Sequence, residues 1–426
     1  MTVKAKLATG YIKEFARSIE ASAQQDWLKD LRRKAFEYFT ETGFPTSRDE
    51  DWKYTDVKEV AGGQWSVANH ANAISESAGN AVNKIVFVDG IYSEDASSLG
   101  ELPEGVVVSK FAESGDNEVF QENLSKIVEP EFSGFSALNT AFIDQGLFIH
   151  VPKNTKIDEP IHVVMVSTGE FTAFPRLLYV GEEGSEAEVL EVFTREFEGP
   201  YLTNAVSEVK LEKNAKLIHT RVQRESHAAF HIGVTKAVLS RDSVYDGTNL
   251  NLGGKLARHD ANLEFTEENG EAWVDGLYLI EDGQHTDTHS RIDHKVKNCL
   301  SHQNYKGILD GKSRAVFNGK VYVHENASGT DAEQSNKNLL LSNDARVDTK
   351  PQLEIFNDDV KCAHGATVGQ LEGEELFYLL TRGLNQDLAR NLLTYGFAEE
   401  IINKITVPSI KKDLDEAVLN RLHAKL

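Results

Sequence analysis

The chain has 426 residues, of which 40% are apolar and 9% aromatic, and 45 Lys+Arg against 67 Asp+Glu give a formal net charge of −22. This acidity argues against a nucleic-acid groove or an anionic membrane surface as the main partner. Two cysteines, Cys299 and Cys362, exclude a disulfide framework and a four-thiolate metal site. No run approaches the ~20 apolar residues of a membrane span or a signal-peptide pattern, so we expect a cytoplasmic protein with reduced thiols.

Residues 1–83 are predicted to form an N-terminal helical domain. Apolar residues recur every four positions from Trp27 to Phe39, which indicates an amphipathic helix. Gly43, followed by Pro45, predicts the end of that helix. The charged segment after it carries two aromatic residues that could anchor it to a surface.

The predicted core spans 146–360 and follows a mixed α/β segment over 84–145, in which we expect a helix at Asn117–Val128. The core shows short β-rich runs separated by turn signals such as Asn269-Gly270. A sandwich or barrel and a β-solenoid both fit many short strands. A single sandwich seldom needs so long a stretch without a helix, whereas short strands suit coils that stack about 4.8 Å apart. We therefore predict a mainly β protein with a parallel β-helix core.

Helical periodicity returns in residues 361–426, the predicted C-terminal helical domain. A helix over Glu374–Arg382 is stopped by Gly383. The last helix carries an apolar face made of Ile410, Leu414, Ala417, Val418 and Leu422. Such helices could cap the end of a solenoid or form a partner-binding surface, and the pattern leaves both open.

The segment Gly307–Ser313 resembles a nucleotide-binding P-loop without meeting its spacing. That motif needs four residues between its two glycines, and only three separate Gly307 from Gly311. The residues that follow, Arg314–Gly319, predict a strand and a turn, so no helix N-terminus is available to hold phosphate. We predict that the chain is not an NTPase, and no other catalytic signature is recognisable in it.

One candidate metal site lies at His285, Asp287 and His289. On a strand these side chains share one face, because side chains alternate, and they could then chelate zinc or iron. The same residues also suit the polar outer face of a solenoid coil, and no ligand set with zinc-like spacing is complete here. The pattern favours the structural interpretation.

A second candidate site lies at Cys362 and His364, where the strand-like region gives way to helices. If Glu354–His364 is extended, both side chains lie on one side together with Asp358, and they are about 6.6 Å apart along the strand. A thiolate and an imidazole are suitable ligands for iron or an iron–sulfur cluster, and a second chain could supply the missing ligands. By pattern alone, a buried cysteine beside a hydrogen-bonded histidine is favoured.

Over most of its length the chain resembles the SufB/SufD family of the SUF iron–sulfur cluster assembly system. The resemblance rests on Arg48–Thr55, Val86–Gly90, Tyr305–Gly311, Phe317–Lys320, Lys350–Ile355, Asp359–Gly369, Glu375–Leu379 and Arg382-Gly383. The run from Lys350 to Gly369 is the most specific. The SufB branch typically has an E-H-E-A-type run where this chain has Cys362–Ala366, so the resemblance favours the SufD branch.

The resemblance implies a right-handed parallel β-helix flanked by N-terminal and C-terminal helical domains. It implies a scaffold that is not an enzyme, that pairs with SufB, and whose C-terminal helices dock the SufC ATPase. It implies that iron or a nascent cluster is held transiently at the interface with SufB, near Cys362 and His364, with no permanently bound cofactor. Without SufB we expect a homodimer, because an exposed strand edge seeks a partner.

Two other functions remain open at this stage. Many β-solenoids are enzymes that act on acidic polysaccharides, which would need a carboxylate or basic cluster in a groove. A simple metal-binding protein using the residues from His285 to His302 would instead bind metal tightly as an isolated chain.

Overall fold

The structure is a computed structural model that describes residues 9–21, 24–63, 66–74, 81–371 and 373–421. Its α-helices are α1 (Thr9–Ala21), α2 (Asp26–Thr42), α3 (Lys58–Gly62), α4 (Glu118–Asn123), α5 (Gly134–Ala141), α6 (Gly373–Thr381), α7 (Gln386–Ile402) and α8 (Pro408–Arg421). Short 3₁₀ turns lie at Glu50–Trp52, Phe111–Glu113, Pro130–Phe132 and Ile143–Gln145.

Strands make up most of the remaining chain. They are β1 (Asn83–Val88), β2 (Ile91–Tyr92), β3 (Val107–Lys110), β4 (Gly146–Val151), β5 (Ile161–Ser167), β6 (Thr172–Ala173), β7 (Arg176–Gly181), β8 (Glu186–Arg195), β9 (Leu202–Leu211), β10 (Lys216–Gln223), β11 (Phe230–Leu239), β12 (Val244–Asn251), β13 (Leu256–Phe265), β14 (Glu271–Ile280), β15 (His285–His294), β16 (Leu300–Leu309), β17 (Arg314–Val323), β18 (Thr330–Leu340), β19 (Arg346–Ile355) and β20 (Val360–Gly369).

These strands form two long sheets that face each other across a buried interior. Sheet I has the order β2-β1-β5-β8-β10-β12-β14-β16-β18-β20, and sheet II has the order β19-β17-β15-β13-β11-β9-β7-β4-β3, with β6 paired to β9. From β7 onward the chain alternates between the two sheets, and each strand pairs in parallel with the strand of the neighbouring coil. This arrangement confirms the predicted parallel β-solenoid, in which each coil buries its inner face against the next.

One corner of the coils is a column of residues in the left-handed conformation. Its members have φ between 54° and 72° and are Asn154, Gly184, Asn214, Asp242, Asn269, Asn298 and Gly329. Each donates its backbone N–H to a carbonyl oxygen of the following coil, as from Asn269 to Lys297 at 3.3 Å. Asn, Asp and Gly tolerate this conformation, so the turn signals in the sequence mark the corners of the coils.

The interior of the solenoid changes character along its axis. At the N-terminal end it is apolar, with Ile85, Ile149, Val163 and Tyr179 in one cluster. From β8 onward buried polar side chains enter the interior, and Glu191, His219 and Arg221 are each at most 3% exposed. Buried polar groups are destabilising unless they are hydrogen-bonded, so we expect the polar side chains in this half of the interior to form a hydrogen-bonded network.

A buried ion pair ties the predicted mixed segment to the solenoid. The Arg176 guanidinium donates to Glu208 at 2.7 Å, and both side chains are fully buried. The Glu208 carboxylate also accepts the backbone N–H groups of Ser125, Ile127 and Val128 at 3.0–3.1 Å. These bonds hold the turns after α4 in place, and they explain why the helix predicted over 117–128 stops at Asn123.

The C-terminal helices α7 and α8 pack against the outer face of sheet I. Their apolar residues share a cluster with outward-facing residues of β10 to β16, such as Leu277 and Ile308. Lys306 adds a bond to the Phe397 carbonyl oxygen at 2.9 Å. The helix predicted to stop at Gly383 is α6, and Gly383 has the expected positive φ of 92°.

Sheet I begins and ends outside the segment predicted for the core. Its strand β1 starts at Asn83, and β20 continues to Gly369, past the expected boundary at residue 360. The P-loop-like segment ends β16 and turns directly into β17, and no helix follows it. Among the described helices, none combines the length and apolar character needed to cross a membrane.

Candidate functional site at the open end of the solenoid

Cys362 and His364 lie on β20, the last strand of sheet I. In the parallel register, Cys362 is paired with Ala332 and His364 with Gln334 of β18. Ala332 and Gln334 are buried and face the interior, so the same positions of β20 also face inward. Among the described residues no further coil covers them, and His364 is therefore exposed at the open end.

The strand that carries the pair is shorter than the sequence predicts. Strand β19 ends at Ile355 and a turn precedes Val360, so Glu354–His364 is not one extended strand and Asp358 does not share its face. Asn357 shapes the turn, because its side-chain oxygen accepts the N–H of Asp359 at 2.9 Å. The alternation within β20 still places Cys362 and His364 on one side.

Cys362 is half-buried and packs at the rim of the interior. Its neighbours in the last apolar cluster are Val321, Val323 and Ala332. Burial raises the pKa of the Cys362 thiol, and the negative charge of Asp331 raises it further. The sulfur is therefore a neutral thiol at neutral pH, and binding a metal there would release a proton.

Among the strands that the structure describes, both sheets end at the same end of the solenoid with an unpaired edge. Strand β20 closes the order of sheet I and β19 closes that of sheet II. Exposed apolar side chains lie beside these edges: Ile355 at the end of β19, Phe356 directly after it, and Val368 on β20. Unpaired edges of this length with apolar neighbours are templates for pairing with another chain.

Pro351 modifies the edge of β19. In a parallel strand, successive N–H groups point alternately to the two sides. Arg346 donates to the Ser313 carbonyl oxygen at 3.0 Å and Phe356 to that of Val323 at 2.9 Å, so even-numbered N–H groups face β17. The nitrogen of Pro351 faces the open edge, where proline removes one donor without breaking the ladder.

The three residues of the other candidate site share the outer face of β15 but are engaged by protein groups. Thr55 lies 3.0 Å from His285 Nε2 and donates to Asp287 at 2.5 Å. Arg258 donates to the same carboxylate at 2.7 Å, and His289 Nε2 lies 3.0 Å from it. Within the described part of the chain no group of three or more His, Cys, Asp or Glu side chains is placed to hold a metal.

A cluster of buried ionisable groups in the interior was not predicted. His219 lies 2.8 Å from Glu191, and His231 lies 2.5 Å from Glu225. Arg221 lies between these pairs; burial lowers its pKa to about 10, so it stays cationic at neutral pH. Alternation puts these residues on one face of their strands, but sequence alone does not say whether that face is inside or outside.

Helix α6 has no buried residue among those described. Phe377 is 67% exposed and Tyr378 is 56% exposed, beside the partly exposed Leu380. Contiguous exposed apolar side chains of this kind mark interaction sites. Leu392 on α7 is also exposed.

The fold and the site define a β-solenoid protein that presents a thiol and an imidazole at an open strand edge. The sequence matches the family description "SUF system FeS cluster assembly, SufBD core domain" over residues 164–397 and "SufBD protein N-terminal region" over residues 5–163. The chain belongs to the SufBD family, as the resemblance predicted.

Relatives that are similar along nearly the whole chain support this assignment. An iron-sulfur cluster assembly SufBD family protein of Synechocystis sp. is 33% identical, over 94% of this chain and 93% of its own length. The iron-sulfur cluster assembly protein SufD of Escherichia coli is 31% identical, over 89% of this chain and 90% of its own length. A chloroplastic protein of Arabidopsis thaliana, ABCI7, is 31% identical over 94% of this chain.

Proposed function

We propose that this chain is a non-enzymatic scaffold subunit of SufD type, which works in the cytoplasm in iron–sulfur cluster assembly. The observation that carries the proposal is the position of Cys362 and His364 at an unpaired strand edge. These two ligands leave the rest of an iron coordination sphere to be supplied by another chain. A protein that must give its cargo away needs an open coordination sphere. Family membership supports the cargo, since the family description is one of iron–sulfur cluster assembly.

The partner at the open end is a second solenoid of the same family, of SufB type. The two free edges, β19 and β20, offer backbone groups to a facing pair of strands, and Phe356 and Val368 add apolar area beside them. In the absence of that partner, a second copy of this chain pairs through the same edges. The missing donor at Pro351 restricts which strand registers are acceptable there.

Iron or the nascent cluster is the substrate of this interface. Cys362 and His364 supply a sulfur and a nitrogen ligand, and the partner supplies the rest. No permanently bound cofactor is required by this arrangement.

The exposed face of α6 docks the SufC-type ATPase of the system. Its apolar residues Phe377, Tyr378 and Leu380 are exposed, and none of the described residues of the helix is buried. Because α7 and α8 pack on sheet I, a movement of α6 would be passed through them to the solenoid. ATP hydrolysis by the partner would then shift the edges that hold Cys362 and His364.

The test is the yield of iron–sulfur cluster from a reconstituted complex that carries His364→Ala. We expect a reduced yield with normal assembly of the subunits. A matched control is His70→Ala, which removes an exposed histidine in the N-terminal part of the chain and should leave the yield unchanged. A normal yield from the correctly assembled His364→Ala complex would remove the assigned role.

The alternative function is an enzyme that acts on acidic polysaccharides, which would need catalytic groups in a groove. The groove on the outer face of sheet II gives it little support. Most of its carboxylates are already paired with cations, as Asp260 is with Arg258 at 2.8 Å and Asp293 with Arg291 at 3.0 Å. A hydrolase or lyase needs carboxylates or bases that are free to act on substrate. A polysaccharide lyase assay on the isolated chain tests this alternative directly.

A further inference from the structure

Gln334 lies directly beneath His364 in the interior of the solenoid. The two residues are partners in the register of β18 and β20, and Gln303 of β16 continues the same column one coil deeper. Gln334 is only 1% exposed. In-register residues of adjacent parallel strands stack about 4.8 Å apart, so Gln334 is the residue of the preceding coil that lies nearest to His364 in register.

The carboxamide of Gln334 has a defined orientation. Its nitrogen donates to the Gln303 side-chain oxygen at 3.3 Å, and the Ser290 hydroxyl donates to that same oxygen at 2.5 Å. The nitrogen therefore points down the column, away from the open end. Because oxygen and nitrogen diverge from one carbon, Oε1 points towards the last coil.

That oxygen is a buried acceptor without a partner among the described residues. The residues around it do not supply the missing donor. Gly319, across the interior, has no side chain that could donate, and a methyl group there would overlap the carboxamide. The nearby Thr349 hydroxyl donates instead to Asn336 at 2.9 Å.

We propose that Gln334 is a positioning residue for His364: its Oε1 accepts a hydrogen bond from one ring N–H of the imidazole. A buried acceptor without a partner is destabilising, so this bond would satisfy a group that otherwise has none. A donor bond from one ring nitrogen fixes the tautomer and leaves the lone pair of the other nitrogen free. The free nitrogen then faces the open end, where the proposed function places iron, and this last step rests on that function.

The test reads the tautomer of His364 in the isolated, full-length chain without iron. Long-range ¹H–¹⁵N NMR of histidine-labelled protein distinguishes the two neutral tautomers, and the signals missing from His364→Ala assign the residue. We expect one tautomer in the wild type and a solvent-like mixture in Gln334→Leu. Thr330→Val, which changes another buried, inward-facing side chain of β18, should keep the wild-type signals.

Unchanged His364 signals in a folded Gln334→Leu protein would overturn the proposal and assign the Gln334 oxygen to another donor, such as the Gln303 amide. Gln334→Met, which keeps the length of the side chain, carries the same test if the leucine variant does not fold. Gln303→Leu leaves Gln334 in place but frees its carboxamide, and it should give a partial shift towards the mixture.

The outcome is separable from that of the proposed function. In the reconstituted complex, loss of an outer partner of a ligating histidine typically costs about 10-fold or more in metal affinity, so Gln334→Leu should weaken Fe(II) binding by about that factor. A normal cluster yield with His364→Ala would remove the role of His364 in assembly and leave the NMR result standing. A changed tautomer with unchanged Fe(II) binding would remove only the link between them.

Discussion

The Arg258 guanidinium donates to the Asp287 carboxylate at 2.7 Å, and both side chains are at most 2% exposed. The N-terminal segment covers this pair. Thr55 donates to Asp287 at 2.5 Å, and the Trp52 ring lies 3.9 Å from the guanidinium. The charged segment Arg48–Thr55, whose aromatic residues were expected to anchor it to a surface, is thus held on the outer face of sheet II by its contacts with this buried ion pair.

The first prediction concerns the pH dependence of this fastening. Burial alone would raise the pKa of Asp287, but the charges of Arg258 and His289 outweigh it and hold the pKa below its ordinary value of 3.8. A carboxylate of this kind contributes its full stabilisation above its ordinary pKa and loses it as the pH falls towards the folded value. Asp287→Asn should therefore lower the free energy of unfolding at pH 7 by about 1–3 kcal/mol.

The difference in the free energy of unfolding between the wild type and Asp287→Asn should become smaller below pH 4, where the Asp287 carboxylate of the unfolded wild type becomes protonated. Urea unfolding from pH 7 down to pH 3 measures it. Asp293→Asn, which loses a partly exposed pair with Arg291, is the control and should change stability by less than about 1 kcal/mol. A constant difference across this pH range would contradict the assignment of the lowered pKa.

The second prediction concerns the packing of the interior. A methyl group at Gly276 on β14 would overlap the ring of Tyr305, which is 1% exposed and cannot move aside. Overpacking a close-packed core costs about 1–3 kcal/mol, so Gly276→Ala should lower the free energy of unfolding by that amount. Gly369→Ala on β20, where nothing lies within 4 Å, should be neutral. Equal melting temperatures for both variants would contradict the packing at Tyr305.

Much of the fold could be predicted from the conformational preferences of single residues and from the alternation of side chains along a strand. Asn269 marks a coil corner because its side chain tolerates a φ of 64°, and the sequence shows that signal directly. Strict alternation likewise put Cys362 and His364 on one side of β20. The parallel pairing was predicted from the shortness and number of the strands over a long stretch without a helix, which favoured stacked coils over a sandwich or barrel.

The remaining features depend on contacts between residues that are distant in sequence. Thr55 and His285 are 230 positions apart, and neither one predicts the other. The interior position of Arg221 depends on which face of β10 turns inward, and a period of two fits either choice. The unpartnered oxygen of Gln334 likewise becomes visible only when three coils are stacked in register.

The third prediction concerns the exposed face of α6. Phe377→Asp should abolish co-purification of the SufC-type ATPase and leave the melting temperature unchanged, because the side chain is 67% exposed and its helix has no buried residue among those described. Ile12→Asp on α1 makes the same change at another exposed apolar residue, 46% accessible, and should leave co-purification intact. Retention of the ATPase by the Phe377 variant would move the docking surface elsewhere.

The last prediction compares the reactivity of the two cysteines towards an alkylating reagent. Cys299 is 1% exposed, and burial raises its pKa to about 11, so iodoacetamide should not modify it in the folded protein. Cys362 is accessible, but burial and Asp331 raise its pKa too. The thiolate is the reacting species, so Cys362 should react more slowly at pH 7 than in urea-unfolded protein, and its rate should rise steadily towards pH 9.

Mass spectrometry after short pulses of iodoacetamide at pH 7, 8 and 9 separates the two peptides. In the unfolded protein both cysteines should react at similar rates, which provides the reference. Addition of the SufB-type partner should protect Cys362 without affecting Cys299, because only Cys362 lies at the open edge. A Cys362 that reacts faster than the unfolded reference at pH 7 would instead be an activated thiolate, and it would then bind iron without first having to lose a proton.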